Sequence, residues 1–145
     1  MSTQNLSEQE IIRREKLSEL KALGIEAYPA PLYPVNSSAA FIRENYKEEN
    51  KDSFTALCLA GRLMSRRDMG KASFANLQDS SGRIQLYIKR DDICPGEDKT
   101  LYDKVWKHLL DIGDIIGVKG YAFITKMGEL SVHVTELTLL TKALR

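Results

Sequence analysis

The segment from Met69 to Lys89, MGKASFANLQDSSGRIQLYIK, sets one phenylalanine, Phe74, among amide and cationic side chains. A phenyl ring open to water is a platform on which a nucleobase stacks, at about 1–3 kcal/mol per base. An amide such as Gln85 offers a donor and an acceptor to a base edge. The guanidinium planes of Arg66, Arg67 and Arg83 hold phosphates or stack on bases. From Gly61 to Arg90 there are seven basic residues (Arg62, Arg66, Arg67, Lys71, Arg83, Lys89, Arg90) and two acids, Asp68 and Asp79. That stretch carries +5 in a chain whose net charge is +1, which leaves −4 for the rest. A basic island on a near-neutral chain is a local electrostatic footprint for a polyanion. Lys71 belongs to that island, and Arg62, Asn76 and Tyr87 are weaker contact candidates.

Stacking requires Phe74 to face water, and strand periodicity decides that. From Arg83 to Lys89, Ile84, Leu86 and Ile88 alternate with Arg83, Gln85 and Tyr87, so the latter point outward. From Lys71 to Gln78, Ser73, Ala75 and Leu77 share one face, while Phe74, Asn76 and Gln78 share the other. If the polar face is the solvent face, Phe74 is an outward ring. The alternative is an inward Phe74 on a bulged strand. Tyr87 reads equally as sheet filler or as an RNA contact.

The elements that position these residues follow a recognisable order. Leu6-Ser7-Glu8-Gln9-Glu10 is a helix start, with Ser7 and Glu10 as a capping box and Leu6 and Ile11 as a hydrophobic staple. That helix runs to Leu23 and stops at Gly24. Ile12, Leu20 and Leu23 form a thin apolar stripe, and Arg13, Arg14, Lys16 and Lys21 make the rest basic, so it reads as an arm. Arg13, Arg14 and Lys16 join the weaker RNA-contact candidates. Pro29, Pro31 and Pro34 predict an extended linker from Tyr28 to Val35. Ser38 to Tyr46 predicts a short helix, and Asn45 to Ser53 a loop.

From Phe54 the period changes to two. Leu57, Leu59 and Leu63 begin a long first strand. Turns at 68–71 and 79–82 separate it from the second and third strands. Leu101, Tyr102, Val105, Trp106 and Leu109 recur at helical spacing. Strands follow from Ile115 to Thr125 and from Leu130 to about Leu139, joined by the turn at 126–129. Three strands, a helix and two strands is the order of an OB-fold, a five-stranded Greek-key barrel that binds oligonucleotides across strands two and three. The predicted class is an all-β core preceded by a helical arm. Its division is an arm and linker at 1–53 and the barrel at 54–145. A split β-sandwich is the alternative. Gly61, Gly117 and Gly120 read as barrel-corner or bulge glycines.

Other chemistries find little support. Cys58 and Cys94 form no C-x-x-C pair, so a structural zinc site is not expected. His108 and His133 lack acid–histidine spacing and read as surface or hydrogen-bonded residues. No nucleophile–base pair, P-loop or dinucleotide fingerprint is present. No signal peptide or 18-residue apolar run appears, so a reduced cytoplasmic protein without a membrane partner is expected.

The string AGRLMSRRDMGKASFANLQDSSGRIQLYIKRDD, from Ala60 to Asp92, resembles the anticodon-binding domain of class II lysyl-tRNA synthetases. So does DIGDIIGVKGYAFITKMGELSVHVTELTLLTKALR, from Asp111 to Arg145, and RREKLSELKALGIEAYP, from Arg13 to Pro29, is similar to that family's leading helix. The resemblance implies that Phe74 stacks on the middle anticodon uridine of tRNA-Lys and that Gln85 reads the same base. It implies Arg67 near that base and its backbone, and Glu129 of the TKMGE turn at an outer anticodon base. Met127 stands where that family's turn usually has threonine. The resemblance further implies a catalytic domain following this one, which uses ATP and Mg2+ to attach lysine to tRNA, and a homodimeric parent. No catalysis and no cofactor are then expected of these 145 residues. Aspartyl- and asparaginyl-tRNA synthetases share the Phe–Gln pair, and the strings MGKASF, GRIQLY and TKALR carry the choice of lysine. A free-standing single-stranded nucleic acid binder and a protein–protein scaffold are the competing readings.

Overall fold

The computed structural model describes residues 8–25 and 28–142. The predicted cap Ser7 and staple residue Leu6 lie outside the described residues. Helix α1 (Glu8–Ala22) is followed by a 3-10 turn (Ala30–Leu32), α2 (Ala39–Asn45) and a 3-10 segment (Glu48–Phe54). Then come β1 (Leu57–Met69), β2 (Ala72–Asp79), β3 (Gly82–Lys89), a short α3 (Arg90–Ile93), α4 (Leu101–Leu109), β4 (Ile115–Ile124) and β5 (Leu130–Thr141). The strands close into a barrel in the order β1-β2-β3-β5-β4. All ladders are antiparallel except β3–β5. The expected OB-fold is thus the observed one.

Alternation builds the core. Ala75 and Leu77 of β2, Ile84, Leu86 and Ile88 of β3, Ile116 and Val118 of β4, and Val132 and Val134 of β5 are buried. The inward face of β2 also carries Ser73, whose hydroxyl is the hook for the plug helix α4. Trp106 Nε1 donates to Ser73 Oγ at 3.1 Å, Tyr102 OH lies 2.8 Å from it, and Ser73 Oγ donates to Asp68 at 2.7 Å. Two large buried rings are thereby inserted with their polar atoms satisfied, at a net gain of about 1 kcal/mol per bond. Helix α4 is wound with π-type turns, and the Leu110 N–H donates to the Val105 carbonyl at 2.9 Å.

The segments ahead of the barrel pack against it more closely than an arm and an extended linker would. Leu20, Ala39, Ile42 and Phe54 belong to the same buried cluster as the strands. Gly24, at φ +79°, ends α1, and the Ile25 N–H returns to the Leu20 carbonyl at 2.9 Å. Lys16 donates to Asp111 at 2.6 Å; Lys142, itself buried, donates to Asp111 at 2.6 Å and Asp114 at 2.8 Å. This knot joins α1 to the ends of α4 and β5. The proline-rich stretch contains a 3-10 turn with Pro31 inside it, because a proline early in a helical turn needs no N–H partner. Its Tyr33 lies so close to β4 that a Cβ on Gly117 would fall 2.4 Å from the ring. The expected loop at 45–53 is instead a 3-10 segment ending at Phe54, which the Tyr46 ring holds at 5.5 Å.

Candidate nucleic-acid interface

The outward row begins on β1, and a bulge decides which arginine belongs to it. Leu63 pairs with Leu77, but Ser65 pairs with Asn76, so Met64 is the extra residue. From there the parity of β1 is reversed. Arg66 pairs with the inward Ala75 and Arg67 with the outward Phe74. Arg66 accordingly donates to the carbonyls of Trp106 at 2.7 Å and Leu110 at 3.0 Å, with its guanidinium 5.4 Å above the Trp106 ring. It caps the C-terminal end of α4 through Nη1 and, against expectation, does not line the cleft beside Phe74.

Phe74 faces outward and is half-buried, because Tyr87 opposite it on β3 packs at 5.0 Å. Tyr87 in turn pairs with His133 of β5, and His133 with Tyr121 of β4, the last two rings stacked at 4.7 Å and 18°. Arg67, Phe74, Tyr87, His133 and Tyr121 therefore form an open hoop, one residue per strand, whose ends do not meet because β4 pairs with β1 over Leu57–Arg62. His133 Nε2 is hydrogen-bonded to the Asp92 carboxylate.

Beside the hoop lies a cleft of about 610 Å³. One wall is Arg67, Met69, Phe74, Gln85 and Tyr87. The other is Phe123, Thr125, Lys126, Met127 and Glu129, from the end of β4 and the turn after it. Gln85 Nε2 donates to Ser131 Oγ at 3.1 Å. The turn is closed by Gly128 N–H to the Thr125 carbonyl and Thr125 N–H to the Glu129 carbonyl, both 2.9 Å, with Gly128 at φ +87°. The wall thus combines stacking surface with an amide, two cations and a carboxylate. These groups suit an unpaired base whose phosphates are held at the rim.

Arg67, Phe74, Gln85, Tyr87 and Glu129 are brought together there; the other sequence candidates are not. Asn76 faces outward but its amide donates to Ser65 at 2.8 Å. Arg83 donates to Gln78 at 2.7 Å, and Arg62 to the Gly113 carbonyl at 2.7 Å. Lys71 is exposed in the β1–β2 turn, outside the cleft lining. Arg13, Arg14 and Lys16 lie on α1 and do not line the cleft. The groove that Lys16 does line, about 680 Å³ between α1 and α4, mixes Glu15, Lys16, Glu19, Asp103 and Lys104, and its one ring is the imidazole of His108. Met69, Phe123, Thr125, Lys126 and Met127 are wall residues that sequence reasoning missed. The alternation of Ile116, Val118 and Ala122 would have set Phe123 outside. Among the described residues no group of three or more His, Cys, Asp or Glu side chains is placed to hold a metal ion. No helix of the described residues is long and apolar enough to cross a membrane.

Residues 57–140 match the family model for the OB-fold nucleic acid binding domain of tRNA anticodon type. Over all 145 residues the chain is 56% identical to a lysine–tRNA ligase of Porphyromonas gingivalis strain W83, covering 25% of that protein. It is 56% identical over 142 residues, 98% of the chain, to the lysine–tRNA ligase of Christiangramia forsetii, covering 24% of it. Against the lysine–tRNA ligase of Moorella thermoacetica the identity is 48% over 134 residues, 92% of the chain and 25% of the relative. The chain spans about a quarter of the length of the curated relatives it matches.

Proposed function

Since the chain belongs to the family of OB-fold nucleic acid binding domains, we propose that it is the anticodon-binding part of a lysine–tRNA ligase and that its ligand is the anticodon stem-loop of tRNA-Lys. The observation that carries this reading is the cleft in which Arg67, Phe74, Gln85 and Glu129 meet. In it the middle uridine stacks on Phe74 while Gln85 bonds its edge. Glu129 accepts from an outer anticodon base, and Arg67 and Lys126 neutralise phosphates. The barrel domain at 54–145 binds, and Leu20, Ala39 and Ile42 of the segment ahead of it brace it. Attachment of lysine belongs to the remainder of the ligase. So do ATP and magnesium. On the same reading the parent is a cytoplasmic homodimer.

The test is titration of two stem-loops that differ only in the middle base. The wild-type chain is expected to prefer uridine, and Gln85→Ala to lose that preference while keeping its salt dependence, because an amide neutralises no phosphate. Equal affinity of the wild-type chain for both loops would favour a general single-strand binder instead.

A further inference from the structure

The orientation of the Gln85 amide is set by the residue behind it. Gln85 and Ser131 are register partners on the parallel strands β3 and β5. Gln85 Nε2 donates to Ser131 Oγ at 3.1 Å, and Ser131 Oγ donates to the Glu129 carbonyl at 3.4 Å. Ser131 is fully buried, so no water competes for its hydroxyl. A serine hydroxyl has one hydrogen and accepts through its lone pairs. With that hydrogen directed at Glu129, Ser131 accepts from Gln85, and the amide must turn its NH2 toward Ser131. Its Oε1 takes no hydrogen bond from a described residue and is the acceptor left for a ligand.

We propose that Ser131 is a positioning residue that makes the cleft prefer uracil to cytosine, by holding the Gln85 amide in one of its two orientations. The proposal rests on the reading of the cleft as the anticodon site. Uracil presents an N3–H donor beside the O4 acceptor. Cytosine presents the reverse, an N3 acceptor beside an N4 amino donor. For a base held in one stacked position, Oε1 accepts from uracil N3–H and the second Nε2 hydrogen reaches O4. Cytosine in the same place matches this amide only after it flips. The flip turns Oε1 toward Ser131, which then has to withdraw its hydrogen from the Glu129 carbonyl. Two pyrimidines of nearly equal size and stacking area are thereby separated by the direction of one buried hydroxyl. The same serine couples the base reader on β3 to the turn that carries Glu129.

The experiment titrates stem-loops with uridine or cytidine at the middle position against the wild-type chain, Ser131→Ala and Gln85→Ala. Ser131→Ala is expected to reduce the uridine-to-cytidine ratio by about tenfold, equivalent to about 1.4 kcal/mol. Most of that change is a gain in cytidine affinity, and the salt slope stays as in wild type. Equal weakening of both loops would be the mark of a merely structural serine and overturns the proposal. If Ser131→Ala keeps the full ratio while Gln85→Ala loses it, the proposal fails and the reading of the cleft stands. If Gln85→Ala also keeps the full ratio, both fail. Should Ser131→Ala melt below the assay temperature, Ser131→Cys carries the same expectation, since a thiol keeps the volume but is a weak donor and acceptor.

Discussion

Phe74 and Tyr87 face each other across the β2–β3 ladder with ring centroids 5.0 Å apart and planes inclined by 34°. The pair makes Phe74 both a surface residue and a packed one. A stacking platform needs both properties, because a ring free to rotate loses more entropy when a base settles on it.

Phe74→Ala is therefore expected to act on two observables by different amounts. Stem-loop binding weakens by about 1–3 kcal/mol through loss of the platform. Stability falls by about 0.5–1.5 kcal/mol through loss of the aromatic pair, well short of the roughly 3–5 kcal/mol of an inward phenylalanine. Thermal unfolding and titration of the same variant check both.

Arg66 and Arg67 are neighbours in sequence with opposite expected phenotypes. Arg67→Ala reduces the log–log salt slope of RNA binding by about 0.7, one single-strand phosphate contact. Arg66→Ala leaves the slope unchanged and destabilises the chain by about 1.5–3 kcal/mol, because it removes a charged donor from the end of α4. A shallower slope for Arg66→Ala would return that residue to the interface.

Gly120 sits at the register shift between β4 and β5, where a Cβ would lie 1.9 Å from the His133 carbonyl oxygen. The obstacle is backbone and cannot rotate aside. Gly120→Ala is expected to cost about 3 kcal/mol or more, read as a lower midpoint in urea with a similar slope. Gly96→Ala, where no atom lies within 4 Å of the added Cβ, is the control and changes little.

Acid should loosen the knot that joins α1 to the barrel. Burial raises the Asp111 carboxyl, but hydrogen bonds from Lys142 and Lys16 outweigh it and hold the group below its ordinary value. Asp79 is likewise raised by burial and brought lower overall by the Ser81 hydroxyl and the N–H groups of Ala39, Ser81 and Gly82. A carboxyl depressed by folding contributes stability that is fully present above its unfolded value, near 3.9, and is lost as pH falls through its folded value. Urea unfolding at pH 7 and near pH 3 should show a loss that is smaller in Asp111→Asn than in wild type. Equal losses would mean that Asp111 does not contribute to the acid sensitivity.

The strands were legible because their two faces differ in chemistry. Ile84, Leu86 and Ile88 leave Arg83, Gln85 and Tyr87 one place to go, and Ser73, Ala75 and Leu77 are buried as that alternation requires. Arg66 was not legible in the same way. Counted from Leu57, Leu59 and Leu63, it belongs outside, and only the bulge at Met64 turns it in. The positions that turn inward after the bulge, Arg66 and Asp68, are polar, so no apolar residue marks the change of phase. The far wall of the cleft was hidden for another reason. Lys126 and Met127 are brought to Phe74 by barrel closure, a long-range event that no local pattern encodes. Met127, 94% exposed, reads in sequence as an ordinary turn residue.

The hoop of Arg67, Phe74, Tyr87, His133 and Tyr121 takes one residue from every strand. Each member keeps its place by counting in twos from the strand's paired neighbours. One residue added or deleted within a strand would exchange a hoop member for a core residue, and the barrel would receive a polar or oversized side chain in return. Substitution and length change thus fall under different rules in this chain. Single residues on the outer face away from the cleft are open to replacement, whereas insertions and deletions are better borne by connections such as 70–71, 80–81 and 94–100. Variants of this barrel can diverge widely in composition while their strands stay the same length.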